Sequence, residues 1–518
     1  MYKVIPLLFL CISLVCCTND DACSLVIECH TPNDIQSIIR QNPLLLFNDI
    51  NEKNCYVDKV ADTELEGFLG KHLTESFIQE LDNGQYSSNM YAFVKLYAQA
   101  LADRNQVKVK RIVQDKCTYT ISFNKPITLF QVDCKLGDDI EDETIPTSYY
   151  VSLIKLPDSV NRIGDWSSES FKCLTQIILP ASVTEIESAA FKGCSFLTTI
   201  SIPNSITDIK PYTFSNCYSL ASVEIPNTVT KIGEGAFKDC YSLKTITIPT
   251  FVTSIEPKTF LNCESLTSII IPESVTTIGE AAFSGSSLSS IDIPSSVTTI
   301  GEHAFSATSV TSIIIPDSVT KIERKSFAFC EYLKTVHLPD SLTSIGEHAF
   351  GGCYSLTEII IPNSVTKIDE WAFDSCYSLS SVVLSSSITS VEGYTFSACH
   401  SLKTINLPSS ISSIKGHAFL NCYSLNTVII PNSVVRIDTG AFGGCSSLEK
   451  ILLPESMTFI GNSAFFNCSS LKSINIPRSV YSIGEGAFEG CSALREVSVP
   501  LNTLYKGAFP NTTIVTRY

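Results

Sequence analysis

The stretch "IPNSVTKIDEWAFDSCYSLSSV", Ile361 to Val382, decides how most of the chain reads. Its proline serves as a ruler. Equivalent residues are Pro157, Pro180, Pro203, Pro226, Pro249, Pro272, Pro294, Pro316, Pro339, Pro362, Pro408, Pro431, Pro454, Pro477 and Pro500, with Ser385 where one proline is missing. The step is 23 residues, and 22 at two neighbouring copies. A fixed period in the twenties is the signature of a solenoid, in which each copy buries its apolar face only against its neighbours.

Measured from the ruler, apolar residues recur six, three and one positions before it and three and six after it, and a phenylalanine follows at plus eleven in fourteen copies from Phe191 to Phe488. The segment before the proline is rich in Ile, Thr and Ser and reads as a strand, which the proline ends because it has no N–H to give a ladder. "SVTTI" reads as a second short extended piece and "GEHAF" as a single turn of helix that closes the coil. A column of phenylalanines buried between copies is the expected main stabiliser, at roughly 1.5–3 kcal/mol per large side chain.

The 518 residues hold 52 acidic and 36 basic side chains, a net charge of -16, which opposes binding to nucleic acid and to anionic lipid surfaces. Residues 1–18, "MYKVIPLLFLCISLVCCT", carry one lysine and a short apolar run and read as a secretory signal peptide, with lipid attachment at Cys16 or Cys17 as an alternative. No later stretch is long and apolar enough for a membrane helix, so the expected product is exported, with no integral membrane segment. Residues 19–147 do not repeat. Helical spacing in "TELEGFLGKHLTESFIQELDNG" and "SNMYAFVKLYAQALADRN", followed by strand-like "CTYTISF" and "ITLFQVDC", predicts a small α+β domain. The acidic "GDDIEDE" that follows reads as a solvated linker, since the spacing and glycine of a helix-loop-helix calcium site are absent.

The repeat I-P-x-S-V-T-x-I-G-x-x-A-F-x-x-C-x-S-L-x-x-I resembles the BspA-like leucine-rich repeats of surface and secreted proteins. The resemblance spans about 360 residues. It implies a curved leucine-rich-repeat solenoid, and several family members are adhesins for host matrix or for other cells. The expected fold is an α/β repeat solenoid over residues 148–518, a leucine-rich-repeat array of about sixteen repeats of 22–23 residues with a shortened terminal repeat, preceded by the α+β domain.

Twelve cysteines, Cys194 to Cys263 and Cys330 to Cys491, stand fourteen positions after the ruler. Side chains stacked about 4.8 Å apart are too distant for disulfides and too linear for a metal cage, so these read as free, buried, small apolar residues filling a gap in the return turn. The two shortened copies, "AAFSGSSLSSIDIP" (Ala281–Pro294) and "HAFSATSVTSIIIP" (His303–Pro316), lack the cysteine and one residue of that turn. Cys23, Cys29, Cys55, Cys117, Cys134 and Cys173 suit disulfides in an exported protein, with no pairing readable from sequence.

No cofactor or metal is expected. His303, His348 and His417 share one position but fall two and three rungs apart, too far for one site. No serine or threonine has a recognisable base and orienter, and a polysaccharide-cleaving β-solenoid would need converging carboxylates that the strand positions do not supply.

The candidate binding residues stand two positions before the ruler, where a strand side chain points outward. They are Ile270, Ile314, His337, Ile360, Val383, Ile429 and Leu452. An apolar stripe on an outward face marks a contact site, although exposed strands favour β-branched residues in any case. The irregular mixture argues against a flat ice-binding array. The expected function is non-enzymatic recognition or adhesion toward an extracellular protein or glycoconjugate, host matrix and cell surfaces included. The alternative is a structural or decoy coat protein without a specific ligand.

Overall fold

In the computed structural model, residues 174–518 are described throughout, together with residues 9–11, 24–30, 107–114, 116–123, 129–133, 150–156, 158 and 160–166 before them. The chain divides into two compact units, Met1–Pro272 and Glu273–Tyr518.

Both units are built from coils stacked as parallel strands, here called rungs and named by their ruler residue. Most rulers follow a strand of about three residues, although none is formed before Pro249, Pro272, Pro294 or Pro477, and a short strand, usually of two residues, begins five positions after most of them. In the second unit Ile360 pairs with Val383, Asn406 with Ile429 and Ile429 with Leu452, always one period apart. Across the shortened copy Ile278 pairs with Ile300, so the register absorbs the deletion. The short turn changes the loop, not the ladder.

Ruler chemistry explains the local geometry. The proline ends the ladder and its carbonyl accepts a bond from the N–H three residues on, as Pro362 does from Val365 at 3.0 Å. The following serine ties the rung to its predecessor: the Ser456 and Ser479 hydroxyls donate to the Val434 and Met457 carbonyls at 2.8 and 2.6 Å. The threonine of S-V-T does the same one step further, Thr343 to Thr320 at 2.9 Å. These hydroxyls satisfy backbone acceptors between rungs, and their abundance is structural. Where Ser385 replaces the proline, its buried hydroxyl donates to the Val365 carbonyl at 2.6 Å.

The segment expected as a turn of helix is instead a run of tight turns. Its residues alternate with left-handed ones at plus nine and plus thirteen, such as Trp371 (φ 63°) and Ser375 (φ 58°), and a left-handed residue every fourth position interrupts the i to i−4 ladder of a helix. The N–H groups then point alternately along the chain and across it: Gly351 bonds to His348 at 3.0 Å, whereas Phe350 bonds to Ala372 of the next rung at 2.9 Å. The solenoid stands as expected, but its closing segment is held by its neighbours.

The core follows the sequence columns. Phe191, Phe214, Phe237 and Phe260 stack at 5.4–5.7 Å in the first unit. From Phe283 to Phe488 the rings of the second unit stack at 5.2–5.6 Å, and Phe509 adds a last ring at 4.9 Å. The final strand, Ile514–Arg517, pairs in parallel with Glu496–Val499.

Before the repeats, Lys116–Phe123 and Leu129–Asp133 form the two strands expected of "CTYTISF" and "ITLFQVDC". Ser24–His30 lies antiparallel between Lys116–Phe123 and the first repeat strand, Tyr150–Lys155, so non-repeating chain covers the edge of the repeat sheet. The expected helices of residues 19–147 and most of the proposed disulfide cysteines lie outside the described residues. Cys29 and Cys117 are register partners on neighbouring strands.

Candidate functional site

The stacked strands before the rulers offer one long surface and carry an out-in-out burial pattern: Glu358 exposed, Ile359 buried, Ile360 exposed. The period of two sends the middle residue into the core and its neighbours to solvent. In the second unit Ile314, Ile360 and Ile429 are 69, 65 and 63% exposed, and Val383, Leu452 and His337 are exposed beside them. Ile314 pairs with His337 and Ile360 with Val383, and the strands carrying His337 and Ile360 are also neighbours. Six of the seven candidate residues therefore form one column, interrupted only by Asn406. Ile270, 84% exposed, belongs to the first unit and sits in an extended segment outside any strand.

Two features flanking this face were not read from the sequence. The turn before the sheet carries a stack of Tyr354, Tyr377, His400 and Tyr423, with centroids 4.8, 4.6 and 4.6 Å apart. Their signal was present in "CYSL" and "CHSL", one residue after the column cysteine. On the left-handed position, His348, Trp371, Tyr394 and His417 stack at 5.3, 3.8 and 4.7 Å. His348 and His417 are thus the ends of one aromatic ladder rather than partners in a site. Burial holds the imidazoles of His303, His348, His400 and His417 below their ordinary range, which keeps them neutral at neutral pH.

The column cysteines are free and buried. They do more than fill a gap, because each thiol from Cys217 onward in the column donates to the carbonyl of the preceding rung's phenylalanine: Cys353 to Phe327 at 3.2 Å, Cys376 to Phe350 at 3.3 Å, Cys422 to Phe396 at 3.1 Å. In the shortened copies the Ser286 and Thr308 hydroxyls donate to the phenylalanine carbonyl of their own rung, at 2.7 and 2.9 Å. Burial pushes the thiols up, Cys330 to about 11 and Cys445 to about 12, so they stay protonated and unreactive. Among the described residues, no group of three His, Cys, Asp or Glu could hold a metal ion, and no helix is long and apolar enough to cross a membrane.

Solved structures similar to this chain include three leucine-rich repeat proteins. A leucine-rich repeat protein from Bacteroides ovatus is 24% identical over 80% of this chain and 98% of its own, with a TM-score of 0.44. A leucine rich cell surface protein from Faecalibacterium prausnitzii is 29% identical over 63% and 89%, with a TM-score of 0.40. The T. pallidum leucine rich repeat protein is 30% identical over 36% and 78%, with a TM-score of 0.30. A search of curated proteins finds no significant match. The family described as the BspA type leucine rich repeat region matches in six overlapping copies, at residues 139–264, 188–309, 230–332, 253–377, 298–426 and 413–517. With ruler, thiol column and outward stripe repeating through that span, the chain belongs to the BspA-type leucine-rich-repeat family.

Proposed function

We propose that this is an exported, non-enzymatic recognition or adhesion protein that binds an extracellular protein or glycoconjugate, host matrix and cell surfaces included, through the outward stripe of its second unit. The observation that carries the reading is the run from Ile314 to Leu452. Five of its seven outward positions are aliphatic and all seven are exposed. Water-facing aliphatic side chains in register on neighbouring strands supply a contact area whose backbone is already ordered, because the core residues between them fix the sheet. Serines and threonines alongside offer hydrogen bonds at the rim.

The test begins with capture from matrix proteins, immobilised glycans and cell extracts by the full chain. The affinity for the captured ligand is then measured with the triple variant Ile314→Ser, Ile360→Ser, Val383→Ser. A loss of about 2–4 kcal/mol with unchanged thermal stability is expected, since a few residues dominate most interfaces. Ile359→Ser is the contrast: it places a hydroxyl in the core and unfolds its rungs. Undiminished affinity in the folded triple variant would move the binding site away from the stripe.

A further inference from the structure

The non-repeating strands extend the sheet of the first unit, and their register sets two cysteines opposite each other. The order runs from the repeat strand Tyr150–Lys155 to Ser24–His30, then Lys116–Phe123, then Val107–Gln114 at the edge. Ser24–His30 pairs antiparallel with Lys116–Phe123 through six consecutive partners, from Ser24 with Ser122 to Cys29 with Cys117. The shift of register between Glu28 and Cys29 falls on the other side, toward Tyr150–Lys155, and leaves this ladder unbroken.

Strand alternation supports the same register independently. One face of the pair takes Leu25, Ile27 and Cys29 opposite Ile121, Tyr119 and Cys117, and the other takes Ser24 and Glu28 opposite Ser122 and Thr118. A slip of one residue in either direction would set Leu25 and Ile27 against serine or threonine, so the apolar pattern fixes the pairing. Ile27 also pairs with Ile154, which stands three positions before the ruler Pro157 in the column that is buried along the repeats. The two cysteines therefore share the face of the sheet that continues the repeat core.

Directly opposed residues of an antiparallel pair have Cα atoms about 4.5 or 5.5 Å apart, and both separations lie within the span of roughly 4.4–6.8 Å that a disulfide bridges. The column cysteines differ: they stand on parallel rungs, and their thiols are committed to phenylalanine carbonyls.

We propose that Cys29 and Cys117 form a disulfide that staples the non-repeating strands over the edge of the repeat sheet. A disulfide oxidant takes the two electrons. One thiolate attacks the oxidant's disulfide, the second attacks the mixed disulfide, and the oxidant leaves as two thiols carrying the two protons. The bond closes a loop of about 90 residues, which removes much of the freedom of the unfolded chain. It also keeps the edge of Tyr150–Lys155 covered, where an open ladder would invite pairing with other chains.

Peptide mapping of the full chain equilibrated with reduced and oxidised glutathione tests the bond. Free thiols are alkylated without reduction. Trypsin and a protease that cuts after acidic residues then part Cys29 from Cys23 at Glu28 and Cys117 from Cys134 at Asp133. A linked pair of peptides beginning at Cys29 and Cys117 is expected. Both cysteines alkylated at every glutathione ratio, or either one bonded to a different cysteine, would overturn the proposal. Hydrogen exchange reads the staple itself: dithiothreitol should speed exchange in Ser24–His30 and Lys116–Phe123 about tenfold and leave the strands from Ile314 to Leu452 unchanged. The double variant Cys29→Ser, Cys117→Ser should exchange like the reduced chain and ignore dithiothreitol, which separates this bond from any other that the reductant breaks. An oxidised chain that exchanges no more slowly in these strands than the double variant would sink the stapling role.

Discussion

Two return turns of the second unit solve the same problem with different atoms. The full turn from Phe350 to Leu356 carries Cys353, whose thiol reaches back to the Phe327 carbonyl of the previous rung. The short turn from Phe283 to Leu288 is one residue shorter, and its Ser286 hydroxyl reaches the Phe283 carbonyl of its own rung. Both bury a phenylalanine completely, both leave the strand register intact, and both give a phenylalanine carbonyl a second donor. The constraint is the buried acceptor. The residue that meets it is set by how far the turn must reach: a thiol is apolar enough to sit deep between rungs, and a hydroxyl suffices close at hand.

The largest test of that equivalence removes what the two turns share. Phe350→Ala and Phe305→Ala, one in a full turn and one in a short turn, should each cost about 3–5 kcal/mol, as aromatic truncations in packed cores do. Both rings are wholly buried and stack at 5.4–5.5 Å on their neighbours. Hydrogen exchange should show the loss concentrated in the adjoining rungs, as nearest-neighbour stacking dictates. A much smaller cost at Phe305 would mean that the short turns are not equivalent closures.

A smaller effect separates the two donors. Cys353→Ala removes a buried sulfur and one of the two bonds to the Phe327 carbonyl, the other being the Cys330 N–H at 3.4 Å. The expected cost is about 1–2 kcal/mol in chemical denaturation. Ser286→Ala removes a shorter bond but less volume and should cost about 1 kcal/mol. If Cys353→Ala were neutral, neither the buried sulfur nor its bond to the Phe327 carbonyl would hold the rung.

Why the sequence shows some of this and hides the rest follows from the same turns. Period, core columns and the outward position of Ile360 are legible because strand alternation and the fixed step leave one way to bury Ile359, Val365, Ile368 and Phe373 together. The closing turns are not legible. Their left-handed positions are filled by His348, Trp371, Tyr394 and Gly440 alike, so no residue type flags them, and they are stabilised by bonds to the next rung that no local pattern encodes. "GEHAF" and "DEWAF" look helical because helix propensity is local, whereas this conformation is imposed by stacking. The tyrosine ladder beside the stripe was visible as a repeated letter, but its meaning needed the rungs in register. The thiol bond was hidden because a buried cysteine reads as apolar whether or not it donates.

The smallest effect at neutral pH is the most discriminating. Cys445→Ser turns a full rung toward the chemistry of a short one: the hydroxyl can still donate to the Phe419 carbonyl, which the thiol meets at 3.3 Å, so the change near pH 7 should stay within about 1 kcal/mol. Alkaline pH then separates the two side chains. Burial pushes the Cys445 thiol from its ordinary value of 9.0 to about 12. A folded value raised above the unfolded one means that the thiol's contribution is intact below pH 9 and is lost as pH climbs toward 12, because the unfolded chain releases the proton first. Wild type should therefore lose about 1.4 kcal/mol per pH unit at this one position once pH passes that ordinary value. Serine does not ionise there, so Cys445→Ser should match wild type at neutral pH and overtake it in alkali, with the gap read from thermal or urea denaturation of both chains at a series of pH values. Parallel curves would mean that the thiol is not buried in the folded rung. Thr308→Ser exchanges one non-ionising hydroxyl for another and keeps it beside the Cys330 thiol, which Thr308 meets at 3.3 Å, so it should give parallel curves throughout.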